Sequence, residues 1–126
     1  LNWQLILTDP EGEPRPMIMP ALMFCGPSQN RAAEAEKLYT SLFEDSRIGT
    51  VATYPEQTGP ATPGSIMFSD FQLGGQWFVA MDSGAPQDFT FNEAVSFMVA
   101  AHGQDEIDRY WEALSAVPES GRIPDR

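Results

Sequence analysis

Cysteine is almost absent from this chain of 126 residues, which contains only Cys25. A lone cysteine excludes an intramolecular disulfide framework and is typical of a reducing compartment, so we expect a cytoplasmic protein. Basic residues are also scarce, because seven lysines and arginines stand against 18 acidic residues and the formal net charge is −11. Nucleic acids and anionic membrane surfaces bind basic patches, so this charge argues against both as partners.

Long hydrophobic runs are missing as well: no stretch of about 18 apolar residues is present to form a transmembrane helix. No secretory signal pattern opens the chain. The first residue is Leu1 rather than methionine, from which we expect a processed, trimmed or partial chain. Apolar residues make up 42% of the sequence, which is enough to build one domain around a hydrophobic core.

A strand–helix unit occurs twice in the sequence. In the second copy, the apolar and small residues of 91–101 favour a buried strand, and residues 104–116 favour an amphipathic helix. The first copy combines an apolar strand over residues 19–25 with a helix over residues 31–43. Each helix carries four apolar side chains at the i, i+3, i+4, i+7 spacing of one face. These are Ile107, Tyr110, Trp111 and Leu114 in the second copy, and Ala35, Leu38, Tyr39 and Leu42 in the first.

Further strands are predicted around these units. Residues 46–54 are rich in β-branched and aromatic side chains, and residues 65–73 and 76–81 flank the glycine pair Gly74-Gly75, which favours a hairpin turn. Residues 1–7 alternate between apolar and polar side chains, as a half-buried strand does. The resulting order is one strand, then a βαβββ unit, then a strand and a helix.

Several segments resemble the vicinal oxygen chelate superfamily of glyoxalases, bleomycin-resistance proteins and dihydroxybiphenyl dioxygenases. The similarity is to its PhnB-like branch, also called 3-demethylubiquinone-9 3-methyltransferase-like, and covers nearly all of residues 20–117. The segments that carry it are FNEAVSF at 91–97, DEIDRYWEALS at 105–115, MF at 23–24, AAEA at 32–35, YTSLF at 39–43, DSRIG at 45–49, GSIM at 64–67 and LGGQWF at 73–78.

The resemblance implies an α+β fold of paired βαβββ modules whose sheets enclose a cavity. Residues 1–7 resemble the last strand of the family, which here would stand at the N-terminus. Two explanations are open: the chain is cut from a tandem protein, or the domain is circularly permuted. We therefore expect a single glyoxalase-like domain over residues 1–126. Its parts are a displaced strand (1–8), a linker (9–18), a first module (19–83) and an incomplete second module (84–126).

Active members of the superfamily bind a divalent metal through His, Glu or Gln side chains on four strands. The matching positions here fall near residues 23–25, which contain no His or Glu, on residues 76–81, which contain no carboxylate, and at Ala94, which cannot bind a metal. Gln4 is the only candidate metal ligand, and His102 follows the strand at a turn where a surface or capping role is expected. We therefore expect no metal and no other cofactor.

Other chemistry leaves few candidates. Glu93 is the one candidate catalytic residue, as a buried general base with a raised pKa, and its alternative role is a structural acid. Cys25 has no nearby histidine in sequence to activate it as a nucleophile. No glycine-rich motif for phosphate, dinucleotide or S-adenosylmethionine is present, so the methyltransferase label has no support in these residues.

The ligand pocket implied by the resemblance would bind a small apolar or aromatic molecule. We expect its lining to include Trp3, Gln4, Phe24, Tyr54, Met67, Trp77, Phe78, Met81 and Phe97, which would serve an ordinary core equally well. Three functions remain open: a metal-independent binding protein, an enzyme of the superfamily (lyase, isomerase, dioxygenase or methyltransferase-like), and the structural half of a tandem protein. We favour the first, as a homodimer in which the N-terminal strand pairs within its own chain or is exchanged.

Overall fold

The computed structural model describes residues 12–115. Four strands and two α-helices are formed over this range, with a short 3-10 turn at Gly26–Ser28. They are β1 (Ala21–Phe24), α1 (Ala32–Leu42), β2 (Arg47–Thr53), β3 (Ile66–Leu73), β4 (Gln76–Asp82) and α2 (Gln104–Ser115). The α+β class expected from the sequence is confirmed, and each of these elements begins and ends within about two residues of the range expected for it.

The strands form one sheet in the order β1-β4-β3-β2. The pair β1–β4 is parallel, whereas β3 is antiparallel to both of its neighbours. β3 and β4 are joined at Gly74 and Gly75, whose φ angles of 57° and 82° are those that a tight hairpin turn demands and that glycine adopts without strain. From β1 to β4 the chain therefore forms one βαβββ module.

One side of this sheet, here called the helix face, packs against α1. The buried cluster there contains Phe24 from β1, Ala32 from α1, Ile66 and Phe71 from β3, and Phe78 and Ala80 from β4. The rings of Phe71 and Phe78 are stacked with centroids 5.6 Å apart. Burying a side chain of this size stabilises a fold by about 1.5–3 kcal/mol, so this cluster fixes α1 against the sheet.

The opposite side of the sheet, here called the distal face, carries the alternate residues of the same strands. Strand pairing places Met23 beside Met81, Asp70 beside Val79 and Gln72 beside Trp77 on this face. Asp70, Trp77 and Val79 are buried there. Side chains alternate along a strand, so neighbours such as Trp77 and Phe78 belong to different environments.

The expectation of a buried strand over residues 91–101 is wrong. No residue of this range belongs to a sheet, and all of residues 91–100 are exposed. A strand needs a neighbour for its backbone hydrogen bonds, and every strand among residues 12–115 belongs to the first module. A helix follows as expected, from Gln104 to Ser115. The N-terminal strand expected over 1–8 and the end of the second module lie outside the described residues.

None of the helices described between residues 12 and 115 is long and apolar enough to cross a membrane.

Candidate functional site

An apolar groove of about 890 Å³ lies between the helix face, the segment of residues 96–100 and α2. We call it the aromatic groove. Its lining is formed by Leu22, Phe24, Tyr39, Phe43, Leu73, Gly74, Gln76, Phe78, Phe91, Ser96, Phe97, Met98, Val99, Ala100 and Leu114. Pockets that bind small molecules typically have volumes of about 300–1,000 Å³ and apolar walls with a few polar groups, and this groove has both properties.

Aromatic pairs hold the segment of residues 91–100 beside the sheet. Phe91 meets Phe24 edge-on with ring centroids 5.0 Å apart, and Phe97 meets Phe78 in the same way at 5.2 Å. Such T-shaped contacts are a preferred geometry for aromatic rings. Phe97 is nevertheless 51% exposed, so its ring still offers apolar surface to a molecule in the groove.

A smaller groove of about 500 Å³ adjoins the first along α1. The two share Phe24, Tyr39, Phe91 and Leu114, and the smaller one extends toward Arg31 and Glu34. Burial raises the pKa of Tyr39, so its phenol stays neutral and its hydroxyl group is available to a ligand as a hydrogen-bond donor or acceptor.

Glu36 is buried where α1 faces β3 and is only 2% exposed. Its carboxyl group is hydrogen-bonded to the hydroxyl of Ser69, which also lies 3.1 Å from the carbonyl oxygen of Ala80. A serine hydroxyl carries one proton, so it donates to only one of these two acceptors. Burial raises the pKa of Glu36, and the carboxyl groups of Asp82 and Asp70 act in the same direction, against the Ser69 hydrogen bond.

Asp82 ends β4 with 1% of its surface exposed and links three elements. Its Oδ1 accepts a hydrogen bond from the backbone N–H of Ala32 at 3.2 Å, and its Oδ2 accepts one from Ile66 at 2.8 Å. Burial raises its pKa, and these backbone donors oppose that effect. The carboxyl group therefore satisfies buried donors of α1 and β3 and has a structural role.

Within residues 12–115, the side chains at the positions where the resemblance implies metal ligands do not fit a metal. Met23 and Met81 are paired across β1 and β4 on the distal face, and thioethers are poor ligands for the hard divalent cations that carboxylates bind. Over residues 12–115, no group of three or more His, Cys, Asp or Glu side chains is arranged to hold a metal. Gln4 lies outside the described residues.

The structure brings together only some of the expected pocket residues. Phe24, Phe78 and Phe97 line the aromatic groove. The others are placed elsewhere: Trp77 and Met81 lie on the distal face, Met67 is 46% exposed, and the Tyr54 hydroxyl donates to the backbone oxygen of Asp82 at 2.9 Å. Trp3 and Gln4 lie outside the described residues.

Three residues considered for chemistry are placed away from the groove lining. Glu93 lies in an exposed turn instead of a buried strand. Cys25 is 1% exposed, donates its thiol proton to the Phe89 carbonyl oxygen at 3.2 Å, and has a pKa raised by burial. His102 is exposed just before α2, where its backbone N–H donates to Glu106 at 2.8 Å.

The buried acids were not anticipated from the sequence, although a local signal existed for one of them. Glu36 is four residues after Ala32 and three before Tyr39, so it lies on the buried stripe of α1. The apolar spacing that predicts α1 does not include this position, because glutamate is not an apolar residue. Asp82 had no comparable signal, because its partners Ala32 and Ile66 are distant in sequence.

Comparisons with known proteins show which family and which solved structures this chain resembles. The family model described as 3-demethylubiquinone-9 3-methyltransferase matches residues 16–123. A solved structure described as a putative 3-demethylubiquinone-9 3-methyltransferase, PhnB protein, from Bacillus cereus is 36% identical with a TM-score of 0.70, over 79% of this chain and 74% of that one. A Staphylococcus aureus protein is 38% identical over 82% of this chain and 70% of that one, with a TM-score of 0.46. No curated protein matches the chain.

Proposed function

The chain belongs to the 3-demethylubiquinone-9 3-methyltransferase family, and from its site we propose that it binds a small apolar or aromatic molecule in the aromatic groove without a tightly bound metal. The observation that carries this proposal is the groove itself, with a volume of about 890 Å³ and the rings of Phe24, Phe78, Phe91 and Phe97 in its walls.

The lining favours an aromatic ligand over a strongly polar one. The T-shaped pairs leave ring edges and faces beside the groove, and a further ring can pack against them in the offset or edge-on geometries that aromatic pairs prefer. The hydroxyl of Tyr39, the amide of Gln76 and the hydroxyl of Ser96 are the polar groups of the lining. A few such groups fix the orientation of a ligand, while the apolar walls supply most of the affinity.

The proposed binding role includes no metal because of the side chains at the strand positions where a metal would be expected. Met23 and Met81 occupy paired strand positions on the distal face, and neither provides the oxygen or nitrogen that a catalytic divalent metal requires. Glu93 is not among the residues that line the groove. The proposal therefore gives the protein a binding role and assigns no reaction step to it.

The test uses 1-anilinonaphthalene-8-sulfonate, an aromatic dye whose fluorescence rises when its rings enter an apolar site, titrated against the purified protein. We expect Phe97→Ala to weaken binding about tenfold, since the loss of one partly buried aromatic contact costs about 1.5 kcal/mol. Phe89→Ala is the matched control, because Phe89 is exposed to a similar degree, 48% against 51%, and is not in the groove lining.

Equal affinities of the wild type and Phe97→Ala would overturn the proposal, as would an equal loss in both variants. Native mass spectrometry of the freshly purified wild-type protein adds a direct reading, since a retained apolar ligand would appear as a defined mass that Phe97→Ala carries at lower occupancy.

A further inference from the structure

Arg15 lies across the distal face, on the side of the sheet away from α1 and the aromatic groove. Its guanidinium group donates to Asp70 through Nε at 2.9 Å and through a second nitrogen at 3.4 Å. The same group stacks on the ring of Trp77, with 3.9 Å between its central carbon and the ring centroid. The side chains of Arg15 and Asp70 are only 6% and 5% exposed, so this contact is almost fully shielded from water.

The sheet is shaped around this contact. β2 has one extra residue between Ile48 and Val51 relative to its partner β3, which is a β-bulge. The bulge turns the backbone N–H of Thr50 toward Asp70, whose Oδ1 accepts it at 2.7 Å. The carboxylate is thus held in place by the sheet and does not depend on Arg15 alone for its position.

Gly49 completes the site by having no side chain. A Cβ at this position would overlap Asp70 Oδ1, and it would lie 3.1 Å from the Trp77 ring and 3.3 Å from the Arg15 guanidinium. The space between the Asp70 carboxylate and the Trp77 indole therefore admits a flat group, whereas a methyl group on residue 49 would fill it. The outer rim is formed by Glu13, whose backbone oxygen accepts from Arg15 at 2.7 Å, and by Arg47, 5.0 Å from the Trp77 ring centroid.

These features match what recognises a guanidinium group. A fixed carboxylate takes the two-point hydrogen bond of the planar fork, and an aromatic face takes the stacked cation. We infer that Asp70, Trp77 and Gly49 form a binding site for a planar organic cation of the guanidinium class, which Arg15 occupies from within the same chain. An external ligand of this class enters when the Arg15 segment moves away. This site is independent of the aromatic groove, which lies on the other face.

Arg15 already occupies the site, so it competes with any guanidinium compound added from outside and lowers the apparent affinity of that compound. A group tethered to its site by a short flexible segment acts at an effective concentration on the order of millimolar. An external guanidinium compound must compete with that concentration in the wild type, whereas it meets an empty site in Arg15→Ala. We therefore expect the variant to bind such a compound at least about tenfold more tightly than the wild type.

The experiment titrates methylguanidinium chloride into the full-length chain at constant ionic strength. The ligand concentration rises to about 10 mM, which is on the scale of the effective concentration of the tethered Arg15 side chain. Saturation-transfer difference NMR measures binding, and thermal denaturation measures the consequence. In Arg15→Ala we expect saturable binding and a rise in Tm of about 4–8 °C at tenfold excess over Kd. Methylammonium carries the same charge without the planar fork and should produce less than half of this shift.

Matched variants separate the site from a general cation effect. Arg47→Ala removes the other arginine near Trp77 and leaves Arg15 in place, so it should bind methylguanidinium no better than the wild type. Adding Asp70→Asn or Gly49→Ala to Arg15→Ala should abolish binding, the first by removing the charge and the second by filling the space. If Arg15→Ala does not fold, Arg15→Gln replaces it, because glutamine preserves most of the side-chain length.

Two outcomes would overturn the inference. One is an equal effect of methylguanidinium and methylammonium on Arg15→Ala, which would reduce the site to unspecific charge attraction. The other is binding that persists in the double variant with Asp70→Asn, which would place the cation elsewhere on this acidic protein.

Discussion

The carboxyl group of Asp82 links three elements of the fold, and its replacement by asparagine tests that role. Oδ1 accepts from the N–H of Ala32, the first residue of α1, and Oδ2 accepts from Ile66, the first residue of β3. Asparagine has nearly the same shape, but one of its two terminal groups is an NH₂ donor. In either orientation of the amide, a donor faces a buried backbone donor, and one hydrogen bond is lost.

The expected cost follows from this count. A buried donor left without an acceptor costs about 1–3 kcal/mol, so Asp82→Asn should lower the free energy of unfolding by about 2 kcal/mol. Asp82→Ala removes both acceptors and should cost about 4 kcal/mol by the same reasoning. For a domain of this size, 1 kcal/mol corresponds to about 3–6 °C in Tm.

Urea denaturation followed by circular dichroism measures these differences at neutral pH. Asp88→Asn is the matched control, because Asp88 is an exposed aspartate close by in sequence and a surface change of this kind stays within about 0.5 kcal/mol of the wild type. The reasoning would be refuted by an Asp82→Asn variant as stable as the control, or by an Asp82→Ala variant no less stable than Asp82→Asn.

Two further predictions concern the buried acid of α1 and the exposed segment of residues 91–100. Burial raises the pKa of Glu36 above its usual value of 4.5. The protonated carboxyl group therefore contributes its full share of folding stability below pH 4.5, and this contribution is lost as the pH rises through the higher pKa of the folded state. Glu36→Gln should therefore match the wild type in stability near pH 4 and become increasingly more stable than it as the pH rises toward 7. Urea denaturation at several pH values measures this, and a difference independent of pH would contradict it. The homodimer remains a prediction, and we test it at Val95 because this apolar side chain is 69% exposed. Val95→Asp should shift the mass measured by light scattering toward that of the monomer. Met17→Asp, which lies outside this segment, should not. A monomeric wild type would refute it.

The elements whose formation depends on local sequence were predicted well. The two glycines between residues 65–73 and 76–81 define a hairpin that the structure forms at Gly74 and Gly75. The spacing of apolar residues likewise places α1 and α2. In each case the stabilising partner is near in sequence, or the pattern itself carries the period of the element.

The failures share a physical cause, since each depends on contacts between residues far apart in sequence. Residues 91–101 have the composition of a buried strand, but composition does not supply the neighbour that a strand requires. Arg15 and Asp70 are 55 positions apart, and Arg15 stands in a segment whose prolines predicted only a linker. Of the expected pocket residues, Phe24, Phe78 and Phe97 line the aromatic groove, whereas Trp77 and Met81 lie on the distal face.

The division between Trp77 and Phe78 explains why one strand contributes to two unlike sites. Alternation along β4 directs Phe78 to the helix face, where its ring meets Phe71 and Phe97, and directs Trp77 to the distal face, where arginine covers it. An apolar ring suits the groove because the lining residues described between 12 and 115 carry no charge. An indole suits the cation because its face is electron-rich. A shift of β4 by one residue would exchange the two rings and remove both sites at once. The register of β4 is therefore the feature on which both proposed binding sites depend.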